Sequence, residues 1–182
     1  MRFLRTFVLA LVAVSIPALT LADAWQTYST PTDGFSIDVP AAFALQVLPD
    51  ADAPDNVMHI YSVSDRSDPA GTAFYLVGAA QTKAPLAQLA DADFRGYAGS
   101  VKCTLSASKP RTIDGYAALE ATCAGGNVAM SLIDEVEANG YSYMLASGGP
   151  AGHDTSAAAL RYRDSLVLLP PAVASPAPSP TV

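Results

Sequence analysis

The chain has 182 residues, with 17 Asp and Glu against 10 Lys and Arg, for a formal net charge of −7. So acidic a chain lacks the basic face that displaces counterions from nucleic acid or settles on an anionic membrane, which argues against both as partners. Two cysteines and two lone histidines, widely separated, also argue against a zinc site, which needs about four closely spaced ligands.

Residues Met1 to Ala22 read as a secretory signal. Arg2 and Arg5 give a positive start, and Phe7 to Ile16 is an apolar run too short to span a bilayer comfortably. Pro17 follows, and Thr20-Leu21-Ala22 places a small residue before a cleavage point. An uncleaved anchor is the alternative, and no cysteine stands there for lipid attachment. Losing residues 1–22 removes two arginines and no acid. That leaves 8 basic against 17 acidic residues, a formal charge of −9. At the other end Pro170 to Val182, PPAVASPAPSPTV, is uncharged Pro/Ala/Ser and predicts a disordered tail. Residues 23–169 make one domain, long enough for a proper core. A periplasmic or secreted location follows from the signal, with no stable membrane insertion after cleavage.

The domain begins with a short extended piece at Trp25 to Tyr28 and a turn through Thr30 to Gly34. Phe35 to Val39 then alternates cleanly, with Phe35, Ile37 and Val39 on one face, and Pro40 stops it. Phe43 to Leu48 and Val57 to Ser64 are further strands, separated by a polar loop. Asp65 to Gly71 is a turn. Thr72 to Ala80 is apolar or small on both faces, which predicts a strand in mid-sheet under helices. A helix follows, with Pro85 in its first turn and Leu86, Leu89, Ala90, Phe94 and Tyr97 at the helical period. Asp93 alone spoils that stripe.

Val101 to Ala124 reads as a β-hairpin centred near Ile113, with one cysteine on the apolar side of each arm. That register places Cys103 opposite Cys123, within disulfide reach. Two cysteines in an exported chain predict a disulfide. Asn127 to Glu137 and Tyr141 to Ser147 form a second hairpin across Ala138-Asn139-Gly140, where Asn-Gly is a strong turn signal. Gly148 to His153 reads as a glycine-rich loop, and Asp154 or Thr155 as the cap of a second helix. Ala159, Tyr162 and Leu166 give that helix its apolar side, opposite Arg161 and Asp164. Leu166 to Leu169 is its last turn or a short extended exit.

Strands, a helix, two hairpins and a helix predict an α+β fold, an antiparallel sheet with helices packed on it. Five features together resemble the Mog1/PsbP-like superfamily over nearly the whole domain. They are Trp25 with Tyr28, Gly34 to Pro40 (GFSIDVP), the mid-chain helix, the Ile113 to Gly115 turn, and the final strand pair and helix. The resemblance implies an α/β/α sandwich and a non-enzymatic, partner-binding role, in a superfamily that includes photosystem accessory proteins, nuclear-transport regulators and bacterial envelope proteins of unknown role. It supplies no catalytic residue, and the disulfide is not a hallmark of the superfamily.

Several residues invite a chemical reading. Glu135 and Glu137 share a strand face about 6.6 Å apart, a spacing conceivable for glycoside hydrolysis. Beside Asp134 near a hairpin end, they read as solvated acids. Gly148 to Thr155 faintly resembles a phosphate loop opening a helix, but Asp154 stands where a lysine is needed. Asp65, Ser67 and Asp68, or Asp50, Asp52 and Asp55, offer oxygens to calcium without the calcium-loop spacing. His59 reads as a packed strand residue and His153 as a loop residue, and no G-x-S-x-G is present. Tyr61, Tyr75 and Tyr162 read as core edge. If a pocket exists, Tyr141, Tyr143, Gly148, Gly149 and His153 are where to look first. No cofactor or metal is implied. Two functions remain, an accessory domain binding another envelope protein, or a small-ligand carrier (less readily an enzyme) with a pocket between sheet and helix.

Overall fold

The computed structural model describes residues 25–49, 57–65 and 72–170. The expected signal at 1–22 and the tail beyond Pro170 lie outside the described residues. So do Asp50, Asp52, Asp55, Ser67 and Asp68 of the conceivable calcium loops.

In chain order the elements are β1 (Gln26–Thr30), β2 (Phe35–Val39), β3 (Ala44–Pro49), β4 (Val57–Ser64) and β5 (Phe74–Gln81). Helix α1 (Leu86–Val101) follows, then β6 (Thr104–Leu105), β7 (Lys109–Ile113), β8 (Tyr116–Ala124), β9 (Met130–Ala138) and β10 (Tyr141–Gly149). A 3₁₀ turn (His153–Thr155), α2 (Ala157–Asp164) and β11 (Val167–Leu168) complete the described chain. The large sheet runs β3-β4-β5-β10-β9-β8, with β6 and β7 both paired to β8. Strands β1, β2 and β11 form a separate small sheet. Every pairing is antiparallel. Helix α1 packs on one face of the large sheet, and the small sheet with α2 covers the other. The fold is the expected α+β sandwich. The sequence pattern did not separate the small sheet from the large one.

The alternation of β2 does what its pattern predicts, burying Phe35, Ile37 and Val39 completely. Burial of side chains this size contributes about 1.5–3 kcal/mol each. They meet Tyr61, Tyr143 and Leu168 in the larger of two cores. Tyr75 and Tyr162 are fully inside it as well, rather than at its edge. The smaller core joins Ala90, Phe94 and Tyr97 of α1 to Ala121, Cys123, Ile133 and Ala146 of the sheet. The two hairpin turns are Asp114-Gly115 and Asn139-Gly140, with φ of 48°, 84°, 55° and 81°. Positive φ at both central residues is the turn whose twist matches the flanking strands. Both turns also secure the last strand. Asp114 Oδ2 accepts from the Leu168 amide at 2.8 Å, and the Asn139 amide donates to the Leu169 carbonyl at 3.3 Å. Leu166 to Leu169 is thus the extended exit.

The cystine region departs from expectation in its local form. The Cys103–Cys123 disulfide is present, with Cα atoms 5.5 Å apart. However, Val101 ends α1 instead of starting a strand, and Leu105, not Cys103, lies opposite Cys123. The hairpin closes at Ile113↔Tyr116, so its arms are offset from the expected register. Val101 continues the Ala90-Phe94-Tyr97 helical stripe four residues on and also fits the strand alternation with Cys103, so the pattern did not decide where α1 ends. The disulfide consequently clips the exit of α1 to the sheet, beside an Asn127 amide that donates to the Val101 carbonyl at 2.8 Å.

Two further boundaries move. Pro85 precedes α1 as an extended cap residue, and Ser156, not Asp154 or Thr155, caps α2 by accepting from the Ala159 amide at 3.1 Å. Gly148 and Gly149 are strand, not loop, paired with Ser131 and Met130 of β9. They are glycine because neighbours occupy the space a side chain needs. A Cβ at Gly148 would lie 2.4 Å from the Phe74 ring, and one at Gly149 2.6 Å from the His153 imidazole. Gly148→Ala is therefore expected to lower stability by about 1–3 kcal/mol through overpacking. Urea unfolding with an unchanged m-value is the check.

Candidate functional site

Helix α1 lies over β8, β9 and β10 and leaves the same face of β4 and β5 uncovered. Strand β5 is in mid-sheet as its two apolar faces predict. Tyr75, Val77 and Ala79 face the larger core, but on the helix side Gly78 and Ala80 border an open groove. The groove measures about 260 Å³. Met58, Ile60, Leu76 and Met144 line its apolar side, and Asp93 and Tyr97 close its helix side, beside Ser142 of β10. Small residues at 78, 80 and 96 make the room.

Beneath this groove sits a pair of acids. Glu135 is 0% exposed. Ser142 Oγ donates to its Oε1 in a short hydrogen bond, while no donor among the described residues reaches Oε2. Its carboxyl faces that of Asp93. Burial pushes Glu135 up to about 8, the Ser142 hydroxyl opposes this, and the Asp93 charge adds to it. Asp93 is likewise raised, by burial first. Both shifts run the same way, so each carboxyl is harder to ionise here than in water.

Sequence reading took Glu135 as a solvated acid paired with Glu137, and the structure corrects this. Glu135 is wholly buried, Glu137 is half-buried, and the partner of Glu135 is Asp93 from the helix. Asp134, also expected in solvent, is 1% exposed on the opposite face. Arg111 Nη1 lies 3.2 Å from it and 3.3 Å from Glu120, and Arg163 reaches Glu120 at 2.9 Å. Burial raises Asp134 to about 7 against the pull of Arg111.

The five residues expected at a pocket are not brought together. Tyr143 is fully buried and donates to the Asp33 carbonyl at 2.8 Å. Tyr141 stacks on it, ring centroids 6.0 Å apart, and borders a small cleft with Asp33 and His59. Gly148 and Gly149 pack against Phe74 and His153. His153 is buried in the 3₁₀ turn, 5.9 Å from the Tyr75 ring, and is no loop residue. With it in place the resemblance to a phosphate loop disappears. His59 does pack in its strand, its Nδ1 2.7 Å from Asp33 Oδ2, while the Tyr61 hydroxyl donates to that same oxygen. This cluster pins the β1–β2 turn against β4.

A second exposed feature is the edge strand β3. All six of its residues are exposed, Leu45 at 54% and Val47 at 51%, and among the described residues only β4 pairs with it. No group of His, Cys, Asp and Glu among the described residues could hold a metal ion, and no described helix is long and apolar enough to cross a membrane.

No known family profile matches the chain, and no curated protein does. Among solved structures it is similar to the cyanobacterial PsbP (CyanoP) of Synechocystis sp. PCC 6803. The identity is 14% and the TM-score 0.46, over 87% of this chain and 97% of that one.

Proposed function

We propose that the chain is an exported, non-enzymatic accessory domain of the bacterial cell envelope that binds another envelope protein along β3. The observation that carries this reading is the outer edge of that strand, which no described strand pairs. Its outer backbone groups form a ready template for a further strand, and monomers ordinarily blunt such edges with lysine or cover them. Strand β3 carries Leu45 and Val47 instead, with no charge along its length. A partner offering an extended segment with alternate apolar residues would add a strand there. The disulfide suits an oxidising compartment.

The test is gentle crosslinking of the tagged chain in its own envelope. One identified protein should be recovered at near-stoichiometric yield. Val47→Lys, which puts a charge on the docking face and leaves the core untouched, should reduce recovery about tenfold or more. Ser106→Lys, at the far edge of the sheet, should leave it unchanged. Recovery unaffected by Val47→Lys would overturn the β3 assignment. The carrier reading has its own observation, the groove between sheet and α1.

A further inference from the structure

The two buried acids on the faces of β9 are treated differently by this chain. Asp134, facing α2, is supplied with Arg111 and, through Glu120, with Arg163. Glu135, facing α1, receives a hydroxyl and a second carboxyl, and among the described residues no lysine or arginine pairs with it or with Asp93. Arg95, the nearest basic residue along the helix, is taken by Asp91 at 2.7 Å. A buried carboxyl with an oxygen that meets no donor is costly unless something outside the protein completes it.

What lies outside is the groove. Asp93 and Ser142 are at once partners of Glu135 and walls of the groove, so Asp93 forms its polar end and Glu135 lies buried behind it. The rest is Met58, Ile60, Leu76 and Met144, a thioether-rich surface that adapts to varied apolar shapes. Its volume of about 260 Å³ falls below the roughly 300–1,000 Å³ of drug-sized sites, so the occupant is short.

We propose that this groove binds a small cationic amphiphile, its ammonium group held by Asp93, which Glu135 backs from beneath, and its short apolar body lying on Met58, Ile60, Leu76 and Met144. The proposal rests on the carrier reading and gives it a ligand class. Asp93 offers oxygen acceptors to N–H donors, and charge-assisted bonds in a partly dry site are the strong ones. A neutral ligand of the same shape leaves the pair as it is. An anionic one sets a like charge against Asp93.

Isothermal titration of the full chain, disulfide intact, with octylamine, octanol and octanoate at neutral pH tests this. Octylamine should bind about tenfold or more tighter than octanol, with octanoate weakest. Asp93→Asn, at a half-exposed helix position, should bring octylamine down to the affinity of octanol. Gly96→Leu should abolish both, because a Cβ at Gly96 meets nothing within 4 Å and the longer side chain fills the groove without disturbing the fold. Equal binding of octylamine and octanol would overturn the cation assignment and leave the carrier reading standing. No binding of either would overturn both. Octylamine binding that survives Gly96→Leu would show that the site lies elsewhere.

Discussion

Replacing both cysteines, Cys103→Ala with Cys123→Ala, is expected to lower stability by about 3 kcal/mol, the chain-entropy value for a loop of this size. For a domain this long that corresponds to a fall in Tm of roughly 2–4 °C per kcal/mol. The native structure adds a local consequence. The bond joins the residue just beyond the αL cap of α1 to the C-terminal end of β8, and Cys123 is fully buried in the small core under the helix. Losing it frees the exit of α1, held otherwise by the Asn127–Val101 hydrogen bond and by Phe94 and Tyr97. Amide exchange should therefore quicken in the last turns of α1 more than in β4 or β5. Calorimetry of the double variant checks the first expectation and hydrogen exchange the second. An unchanged Tm would show that the bond constrains nothing the fold does not already hold.

Glu135 sets the second large effect, and its sign is unusual for a carboxylate. Its folded-state pKa of about 8 lies above its ordinary value of 4.5, so the folded chain keeps a proton that the unfolded chain releases. Stability is then greatest below about pH 4.5 as far as this group is concerned. It declines as pH rises toward 8, by up to about 1.4 kcal/mol per pH unit for each proton retained. Asp134, raised from 3.8 to about 7, acts in the same direction over a lower window. Asp38 and Asp164 act oppositely. Hydrogen bonds from Thr27 and Arg163 respectively hold them below their usual range, so their contribution is lost as pH falls. Glu135→Gln should flatten the upper part of the decline. Its amide can accept from Ser142 and donate to Asp93, satisfying both neighbours without a proton. At pH 8 the variant should be more stable than the parent by on the order of 3 kcal/mol. Urea midpoints measured from pH 5 to 9 would show this. A parent whose stability rises across that range would contradict the burial of Glu135.

Much of the architecture was legible because local signals agreed with the fold. The Phe35-Ile37-Val39 alternation, the Asn139-Gly140 turn and the Ala159-Tyr162 face each correspond to the element they predict, while Leu166 of that face lies beyond α2. The misreadings have specific physical causes. Glycine marks loops, but Gly148 and Gly149 are small to admit Phe74 and His153, a contact between distant segments that no local pattern carries. The register at Cys103 depended on where α1 stops, and Val101 fits both the helical stripe and the strand alternation. The acid pair did leave a trace. Asp93 interrupts the buried Ala90-Phe94-Tyr97 stripe, and Glu135 shares a strand face with buried Ile133. Two acids at core-facing positions, read together, point at each other, whereas each read alone looks like a solvated exception. The groove had no signature, because it exists only where α1 leaves β4 and β5 uncovered.

The central claim is that β3 receives a partner strand. Hydrogen exchange of the purified chain, alone and with its captured partner, tests it most directly. The account predicts that the partner protects β3 amides not already engaged by β4, with little change in β8. Protection confined to other elements, with β3 exchanging as freely in the complex as alone, would contradict it.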